Sequence, residues 1–301
     1  MISNATPICV VIVGPTAVGK TIVAINLARI LGTQIISADS RQCYKELSIG
    51  VAKPTVQQLN EIKHFFINSH SIRQDVNAAL FEQFALESVK EIFENNDCAV
   101  VVGGTGLYID AFCNGLDEIP VILPEIRKNI ITSYNENGIT WLQEEVRITD
   151  PEYFKIGEIL NPQRLMRALE VKRSSGRSII FYQSRKKKKR DFDIIKIGLE
   201  LPREILYEQI NRRVDAMMEN GLAQEAKNLL SFKQLNALNT VGYKELFSFF
   251  DGDLSLAGAT ALIKKNTRHY AKRQVTWFKN DRSIQWIHPD DQTTIAGLLK
   301  R

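Results

Sequence analysis

Short apolar runs rich in β-branched residues alternate along the chain with longer segments of helical periodicity. The apolar runs fall within residues 8–13, 34–38, 98–102 and 192–201. Runs of this length and composition are typical of strands that a parallel sheet buries on both faces. Residues 22–31 and 77–95 instead have apolar side chains at intervals of three and four, which predicts amphipathic helices. The pattern predicts an α/β fold in which helices flank a parallel sheet.

The pattern changes after Gly115, where helical segments follow one another without a clear strand. These segments span residues 124–136, 139–149, 151–160 and 162–174, and prolines separate several of them. An all-helical domain inserted between two parts of the α/β core explains this best. We therefore predict the first part of the core at residues 1–115, the insertion at 116–191, and the second part of the core, with a basic C-terminal helix, at 192–301.

Composition favours a cytoplasmic protein. The 301 residues are 44% hydrophobic, which is enough for a sizeable core. No apolar run approaches the ~18 residues of a membrane span, and the first residues lack the basic start of a secretion signal. The four cysteines show no metal-binding spacing, so we expect reduced thiols.

Positive charge is concentrated in two places, although the net charge is only +5. Residues 185–190 are all Lys or Arg, a run that is as typical of a mobile loop as of a nucleic-acid contact. Near the C-terminus, Lys264, Arg268 and Lys272 are spaced by four on a predicted helix, and two aromatic residues follow them. Cations beside aromatic rings suit RNA, but a solvated helix face would look similar.

Residues 14–21 match the phosphate-binding pattern G-x-x-x-x-G-K-[ST] at every specified position. The segment follows the first predicted strand and opens the first predicted helix, as this pattern requires. Its glycines let backbone N–H groups point inward, Lys20 adds a charge, and the Thr21 hydroxyl can bind a magnesium ion. The motif predicts a phosphate site without specifying the phosphate compound.

Two further segments follow predicted strands and so lie where ligands bind in an open α/β sheet. Asp39 follows the second strand, where a functional carboxylate and a helix-capping or turn residue are equally compatible with its position. A glycine-rich turn at residues 103–106 follows the third strand and includes Thr105 as a hydrogen-bond donor. That strand ends in glycine where a nucleotide-driven motor would carry a magnesium-binding Asp, which argues against a motor.

The last predicted helix of the insertion combines a polar and an apolar face. Asn161 is a plausible N-cap and Pro162 suits the first helical position. Gln163, Arg164 and Arg167 then lie near one face, while Leu165 and its apolar neighbours can face inward. The polar face could serve a ligand or simply be solvated.

Several segments together resemble one family, the tRNA dimethylallyltransferases, also called tRNA isopentenyltransferases, which modify the adenosine 3′ to the anticodon. The matching segments are residues 14–21, 37–44, 49–54, 102–108, 163–171, 242–246 and 267–278. They occur in the family's order and extend over nearly the whole chain. No cysteine follows Cys113, so the chain lacks the zinc finger of eukaryotic members and resembles the compact bacterial form.

The resemblance implies an activity and its partners. The activity is transfer of the dimethylallyl group from dimethylallyl diphosphate to N6 of adenosine 37 of tRNA, with release of diphosphate. The implied fold is a P-loop NTPase-like core with the inserted helical domain, the implied cofactor is Mg²⁺, and the implied partner is the tRNA anticodon stem-loop. We expect a monomer.

The resemblance also assigns roles to residues. Asp39 would be the general base, Lys20 and Arg213 would act on the departing diphosphate, and Thr16 would lie close to the reacting site. The implied diphosphate-binding residues are Gly14, Pro15, Thr16, Ala17, Val18, Gly19, Lys20 and Thr21, of which Thr21 would also bind the metal. The implied tRNA-binding residues are Asp39, Ser40, Arg41, Gln42, Thr105, Arg127, Gln163, Arg164, Leu165, Met166 and Arg167.

One departure and two alternatives stay open at this point. Val51 stands where the family usually has threonine, so a hydroxyl is lost from the loop at residues 50–54. A kinase or isopentenyltransferase acting on free adenine nucleotides would share the phosphate loop, but it has little use for an RNA-sized insertion. A non-catalytic RNA-binding protein would not need the intact loop and Asp39.

Overall fold

The computed structural model describes residues 6–184, 186–291 and residue 297. The chain divides into two compact units, one formed by Met1–Cys113 with Lys189–Arg301 and the other by Asn114–Lys188. The second unit is slightly shorter than the insertion predicted at 116–191. Arg190 belongs with the first unit because its guanidinium donates to the carbonyls of Ala111 and Phe112 and pairs with Glu82.

The described residues of the first unit form a six-stranded sheet in which every strand pairing is parallel. The strands are β1 (Ile8–Val13), β2 (Ile35–Ser37), β3 (His64–Phe65), β4 (Cys98–Val102), β5 (Asp193–Leu199) and β6 (Gln285–Ile287). Their spatial order is β3-β2-β4-β1-β5-β6. The predicted parallel α/β fold is confirmed, and β3 and β6 are strands that the sequence pattern did not predict.

Helices make up most of the remaining described chain. They are α1 (Lys20–Leu31), α2 (Val56–Glu61), α3 (Ala78–Phe93), α4 (Gly106–Asn114), α5 (Pro124–Thr149), α6 (Pro151–Ile156), α7 (Pro162–Ser175), α8 (Ile179–Tyr182), α9 (Arg203–Glu219), α10 (Leu222–Asn228), α11 (Tyr243–Phe250) and α12 (Leu256–Lys279). Helices α5 to α8 lie in the second unit, and the described residues of that unit contain no strand, as an all-helical insertion requires.

Strand β1 lies inside the sheet, where it pairs with β4 on one side and with β5 on the other. Val10 and Ile12 are fully buried in one core cluster with residues of α1. Cys9 and Val11, which alternate with them, are also fully buried. Both faces of β1 are therefore covered, which explains why its sequence is apolar throughout.

The second unit has its own apolar core. Ile130, Leu142, Leu165 and Leu169 are fully buried in one cluster. Gly138 interrupts α5 with non-helical angles (φ 74°, ψ −168°), at the point where the sequence predicted a break between two helices. The predicted cap of α7 is confirmed, because the Asn161 side chain accepts hydrogen bonds from the amides of Gln163 and Arg164 at 3.1 and 3.3 Å.

Two chemical features of the described chain affect its interpretation. No helix in this part of the chain has the length and apolar character needed to cross a membrane. The four cysteines are free thiols, and burial raises the pKa of Cys113 to about 11. A thiol with so high a pKa is a poor nucleophile at neutral pH.

Candidate functional site

The phosphate-binding motif forms a tight loop between β1 and α1. Gly14 has a φ of +144°, and a Cβ at this position would lie 2.7 Å from the carbonyl oxygen of Leu199. Gly14 is therefore required both by its backbone angle and by its neighbour in β5. The loop ends at Gly19, and α1 begins at Lys20, so that the positive end of the helix dipole faces the loop.

Lys20 is folded back onto this loop. Its Nζ donates to the carbonyl oxygens of Gly14 and Pro15 at 2.9 and 2.7 Å. Burial lowers the pKa of Lys20 to about 7, with a further lowering by the nearby Arg213 and an opposing effect of Asp39. An anion bound in the loop would compensate the buried charge and favour the protonated form. The electrostatics therefore suit a phosphate group.

Thr16 and Arg213 meet beside Lys20. Nη1 of Arg213, in α9, lies 3.4 Å from Oγ1 of Thr16, in the loop. Burial lowers the pKa of Arg213, and Asp39 partly offsets that effect, but an arginine still keeps its charge at neutral pH. The structure thus brings together two cations and a hydroxyl that the sequence assigned to the departing diphosphate.

Asp39 lies at the start of a turn that follows β2. Its Oδ1 accepts hydrogen bonds from the backbone amides of Arg41 and Gln42 at 2.8 and 3.2 Å. This is the turn-forming role that the sequence left open for an Asp in this position. The same carboxylate lies close enough to affect the pKa of Lys20 and of Arg213, so its position is also that of a site residue.

The glycine-rich turn after β4 lies against this Asp39 segment. Thr105 donates its amide to the carbonyl of Ala38 at 3.3 Å and accepts from the amide of Ser40 through Oγ1 at 3.1 Å. A Cβ on Gly103 would lie 2.1 Å from the carbonyl oxygen of Ala38. The missing side chain at this glycine therefore allows the two segments to approach.

These groups line one cavity of about 700 Å³ in the first unit. Of the residues predicted from sequence, the cavity is lined by Thr16, Ala17, Gly19, Lys20, Thr21, Asp39, Ser40, Arg41, Gln42 and Arg213. Its wall also has apolar members, among them Val214, Met217 and Ile263. The cavity therefore offers cations, a carboxylate and an apolar surface to whatever binds there, a combination typical of small-molecule sites.

The donor set suits a magnesium ion that is held mainly by a ligand's phosphates. Thr21, at the start of α1, lines the cavity. Among the described residues, no three His, Cys, Asp or Glu side chains are grouped so that they could hold a metal ion by themselves. Mg²⁺ commonly takes one or two protein ligands and completes its shell with substrate phosphates and water, which these residues permit.

Five cavity residues of α12 had no assigned role in the sequence analysis: Ile263, Thr267, Tyr270, Arg273 and Gln274. Burial raises the pKa of Tyr270 to about 12, nearby Asp39 adds to the effect, and a hydrogen bond with Thr105 opposes it. Gln274 accepts from the amide of Thr16 and donates to the carbonyl of Gly104. The i, i+4 spacing of Tyr270 and Gln274 places both on one face of a helix, but it does not indicate which face meets the site.

The loop that carries Val51 obtains its polar contacts from the backbone. Nε2 of Gln42 lies 3.2 Å from the carbonyl oxygen of Val51 and 3.1 Å from that of Ala52. The carboxylate of Glu225 accepts from the amides of residues 48–50 at 2.8–3.1 Å. The loop is thus fixed without the hydroxyl that the Val51 position lacks.

Arg127 and Arg167, predicted to bind tRNA, lie in the second unit and share one partner. Glu170, which is 3% exposed, pairs with Arg167 at 3.1 Å and with Arg127 at 3.9 Å. Two guanidinium groups thus converge on one carboxylate, which leaves a net positive charge at that position. This charge could serve a phosphate contact.

The other predicted members of this segment differ in exposure. Gln163 and Arg164 are exposed, and Arg164 pairs with Glu158. Leu165 is fully buried and Met166 is 6% exposed, both in the core of the unit. The side chains of Leu165 and Met166 therefore stabilise the insertion, and the exposed residues of this segment, Gln163 and Arg164, are polar.

Several of the basic residues noted in the sequence have protein partners. Lys264 pairs with Asp215 at 2.6 Å, and Arg268 donates to Asn211 at 2.6 Å. Arg185 lies outside the described residues, and Arg190 is held by the carbonyls of Ala111 and Phe112. Part of the basic helix and of the basic run thus supports the fold, and Lys272 stays exposed.

Known proteins resemble this chain over most of its length. The family model described as IPP transferase matches residues 42–281. A tRNA dimethylallyltransferase of Christiangramia forsetii is 49% identical over 94% of this chain and 93% of that protein. A tRNA dimethylallyltransferase 1 of Bacteroides thetaiotaomicron is 44% identical over 98% of this chain and 96% of its own length.

Solved structures show the same fold. The full-length tRNA isopentenylpyrophosphate transferase of Bacillus halodurans is 34% identical over 96% of this chain and 93% of that chain, with a TM-score of 0.70. A eukaryotic dimethylallyltransferase acting on tRNA is 25% identical over 96% of this chain and 75% of that chain, with a TM-score of 0.79. The sequence and the fold agree over nearly the full length, and the chain therefore belongs to the IPP transferase family, among the tRNA dimethylallyltransferases.

Proposed function

We propose that this protein transfers the dimethylallyl group of dimethylallyl diphosphate to N6 of adenosine 37 of tRNA and releases diphosphate. The observation that carries the proposal is the lining of the 700 Å³ cavity, where Lys20, Arg213 and Thr16 lie beside Asp39. The two cations can stabilise the negative charge that develops on the leaving diphosphate. The carboxylate can accept the proton that the attacking amine loses.

The phosphate-binding loop is assigned to the diphosphate. Backbone N–H groups at the end of the loop, the positive end of α1 and the charge of Lys20 all favour an anion, whereas the Thr16 amide is bonded to Gln274. Arg213 is assigned to the oxygen that departs, because a fixed cation aimed at developing charge lowers the barrier most. The apolar wall that includes Val214, Met217 and Ile263 suits the five-carbon group. Mg²⁺ held by Thr21 would neutralise part of the diphosphate charge when bound.

Asp39 is assigned as the general base. The N6 amine of adenine is a poor nucleophile, and attack on C1 of the donor forms a C–N bond while the C–O bond to diphosphate breaks. One proton must leave N6, and a carboxylate in contact with it lowers the barrier. The amides of Arg41 and Gln42 both bond to Oδ1 of Asp39, so we assign the proton to Oδ2.

The target base must reach a cavity that is lined by the ends of several strands and helices. A base stacked inside an anticodon loop cannot do so, which requires that the adenine is extruded from the loop. Ser40, Arg41, Gln42 and Thr105 are assigned to the extruded nucleotide and its neighbours. Arg127, Gln163, Arg164 and Arg167 of the insertion are assigned to the anticodon stem-loop, largely through phosphates. We propose a cytoplasmic monomer.

The proposal is tested by supplying both possible acceptors to the purified protein. The protein is incubated with Mg²⁺, labelled dimethylallyl diphosphate and either unmodified tRNA or AMP, and ATP hydrolysis is followed in parallel. Label in tRNA alone is the expected result. Label in AMP would show that the protein acts on free adenine nucleotides. ATP turnover without label transfer would indicate a kinase-like reaction.

A further inference from the structure

Gln274 joins the two loops that follow the neighbouring strands β1 and β4. It lies in α12 and is 6% exposed. Its Oε1 accepts from the backbone amide of Thr16 at 2.7 Å, and its Nε2 donates to the backbone carbonyl of Gly104 at 2.9 Å. Both ends of the side-chain amide are thus used in polar contacts, one with the phosphate-binding loop and one with the turn after β4.

The chemistry of the two partners requires an amide at this position. The Thr16 N–H needs an acceptor and the Gly104 carbonyl needs a donor, so only one orientation of the side-chain amide makes both bonds. A carboxylate would lack the donor and would add a negative charge beside the diphosphate loop. An apolar side chain would leave both backbone groups without this partner, which costs most at the Gly104 carbonyl because that contact is buried and the Thr16 contact is only partly buried.

Space around Gln274 is also restricted. A Cβ on Gly104 would lie 2.2 Å from Nε2 of Gln274, too close for the amide to keep its position. Gly104 does not have a left-handed backbone angle. The obstacle to an alanine at this position is therefore its contact with Gln274 and not backbone strain. The glycine and the glutamine therefore form a matched pair.

Each partner of Gln274 leads to a group that the proposed reaction uses. Thr16 contacts Arg213 through its hydroxyl, so the loop residue is held by its amide from α12 and by its hydroxyl from α9. Gly104 precedes Thr105, whose hydroxyl accepts from the amide of Ser40 at 3.1 Å. Ser40 follows Asp39 directly. One side chain thus connects the leaving-group loop to the segment that carries the base.

We propose that Gln274 is a positioning residue that fixes the distance between the bound diphosphate and Asp39, and so between C1 of the donor and N6 of the adenine. The inference rests on the proposed function. Its physical basis is that reacting atoms must be held about 3–3.5 Å apart, and that a shift of about 1 Å costs about 10²-fold in rate. In this role Gln274 acts through the two loops that it holds.

The test compares Gln274→Ala, Gly104→Ala and the double variant with the wild-type protein. The readouts are the single-turnover rate of prenyl transfer to tRNA, the KM for each substrate, and the Kd for inorganic pyrophosphate. We expect each single variant to lose about 10²-fold in rate, with both KM values and the pyrophosphate Kd within about threefold of wild type. Thr276→Ala, at an exposed position of the same helix, is the matched control and should keep the wild-type rate.

The double variant separates positioning from a general effect on folding. Because the Gln274→Ala change leaves room for the added methyl group at residue 104, the double variant should be no slower than Gln274→Ala alone. The inference would be overturned if the rate losses of the two single variants multiplied in the double variant, or if folded Gln274→Ala kept the wild-type rate. Either result would leave the proposed function intact. A wild-type protein that binds pyrophosphate but transfers no label to tRNA would overturn both.

Discussion

At the scale of single residues, the carboxylate of Asp39 combines a structural and a chemical task. The two amides that bond to Oδ1 need only an acceptor, and an asparagine oxygen can supply it. The proposed proton transfer needs a base, which asparagine is not. The isosteric variant Asp39→Asn therefore keeps the turn and removes the proposed base.

We expect Asp39→Asn to lose about 10²- to 10⁴-fold in the rate of prenyl transfer, the usual contribution of a general base. The Kd for tRNA should change little, because the turn that holds Ser40 and Arg41 is kept. Single-turnover kinetics with saturating substrates measures the first quantity and filter binding the second. A near wild-type rate in Asp39→Asn or Asp39→Ala would exclude this carboxylate as the base.

Arg213 offers a second test at this scale, because its neighbour in the sequence is a natural control. Arg213 is partly buried beside Thr16, whereas Arg212 is exposed and pairs with Glu208 on the surface of α9. Removal of a fixed donor to developing charge costs about 10²- to 10³-fold in kcat. We expect that loss for Arg213→Met and no loss for Arg212→Met, both measured by initial rates at saturating substrates. Equal rates in the two variants would mean that Arg213 does not act on the departing diphosphate.

At the scale of elements, the apolar pattern was sufficient for the strands that lie inside the sheet. Strand β1 and strand β4 have the predicted bounds, because burial on both faces leaves a continuous apolar run. Strands β3 and β6 have only two and three residues. A segment this short shows no periodicity, and its pairing depends on neighbours that are distant in sequence.

In the candidate site too, the sequence predicted local motifs but missed contacts between distant segments. The phosphate-binding loop is a local motif, so Lys20 and Thr21 could be assigned from their spacing alone. Thr16 and Gln274 are 258 positions apart, and Gly104 and Gln274 are 170 apart. No local pattern reports that α12 brings its glutamine between these two loops. The role of Arg213 was likewise available only from the resemblance to a family.

One ion pair between elements makes the stability of the protein depend on pH. Lys196 of β5 lies 2.7 Å from Asp281, just beyond the end of α12. Burial acts to raise the pKa of Asp281, but hydrogen bonds from Lys196 and Ser283 outweigh it and lower the pKa to about 2. A carboxylate whose pKa is lower in the folded than in the unfolded protein stabilises the fold above its unfolded value of 3.8. This contribution is lost as the pH falls from about 4 towards 2.

We therefore expect Asp281→Asn to lower the free energy of unfolding at pH 7 by about 1 kcal/mol or less, since the carboxylate is partly exposed. The difference between variant and wild type should shrink between pH 4 and pH 3, as measured by urea unfolding at each pH. Asp290→Asn is the control, because that side chain is 92% exposed. A difference that stayed constant from pH 7 to pH 3 would show that Asp281 acts through something other than its charge.

At the scale of the whole molecule, the proposed chemistry lies in the first unit, and the proposed contacts with the anticodon stem-loop lie in the second. The cavity with Lys20, Asp39 and Arg213 belongs to the first unit. The guanidinium groups of Arg127 and Arg167 converge on Glu170 in the second unit. If the insertion serves the RNA alone, then changes in it should affect tRNA and leave the small substrate unaffected.

We expect the double variant Arg127→Gln, Arg167→Gln to weaken tRNA binding and to reduce its dependence on salt. Each lost phosphate contact removes one released counterion, so the slope of log K against log salt concentration should fall by about 1 to 2. The Kd for inorganic pyrophosphate, measured by calorimetry on the same preparations, should be unchanged. Arg147→Gln is the matched control, because Arg147 is exposed on α5 and pairs with Glu144. An unchanged salt slope in the double variant, or an equal change in the control, would place the phosphate contacts elsewhere on the protein.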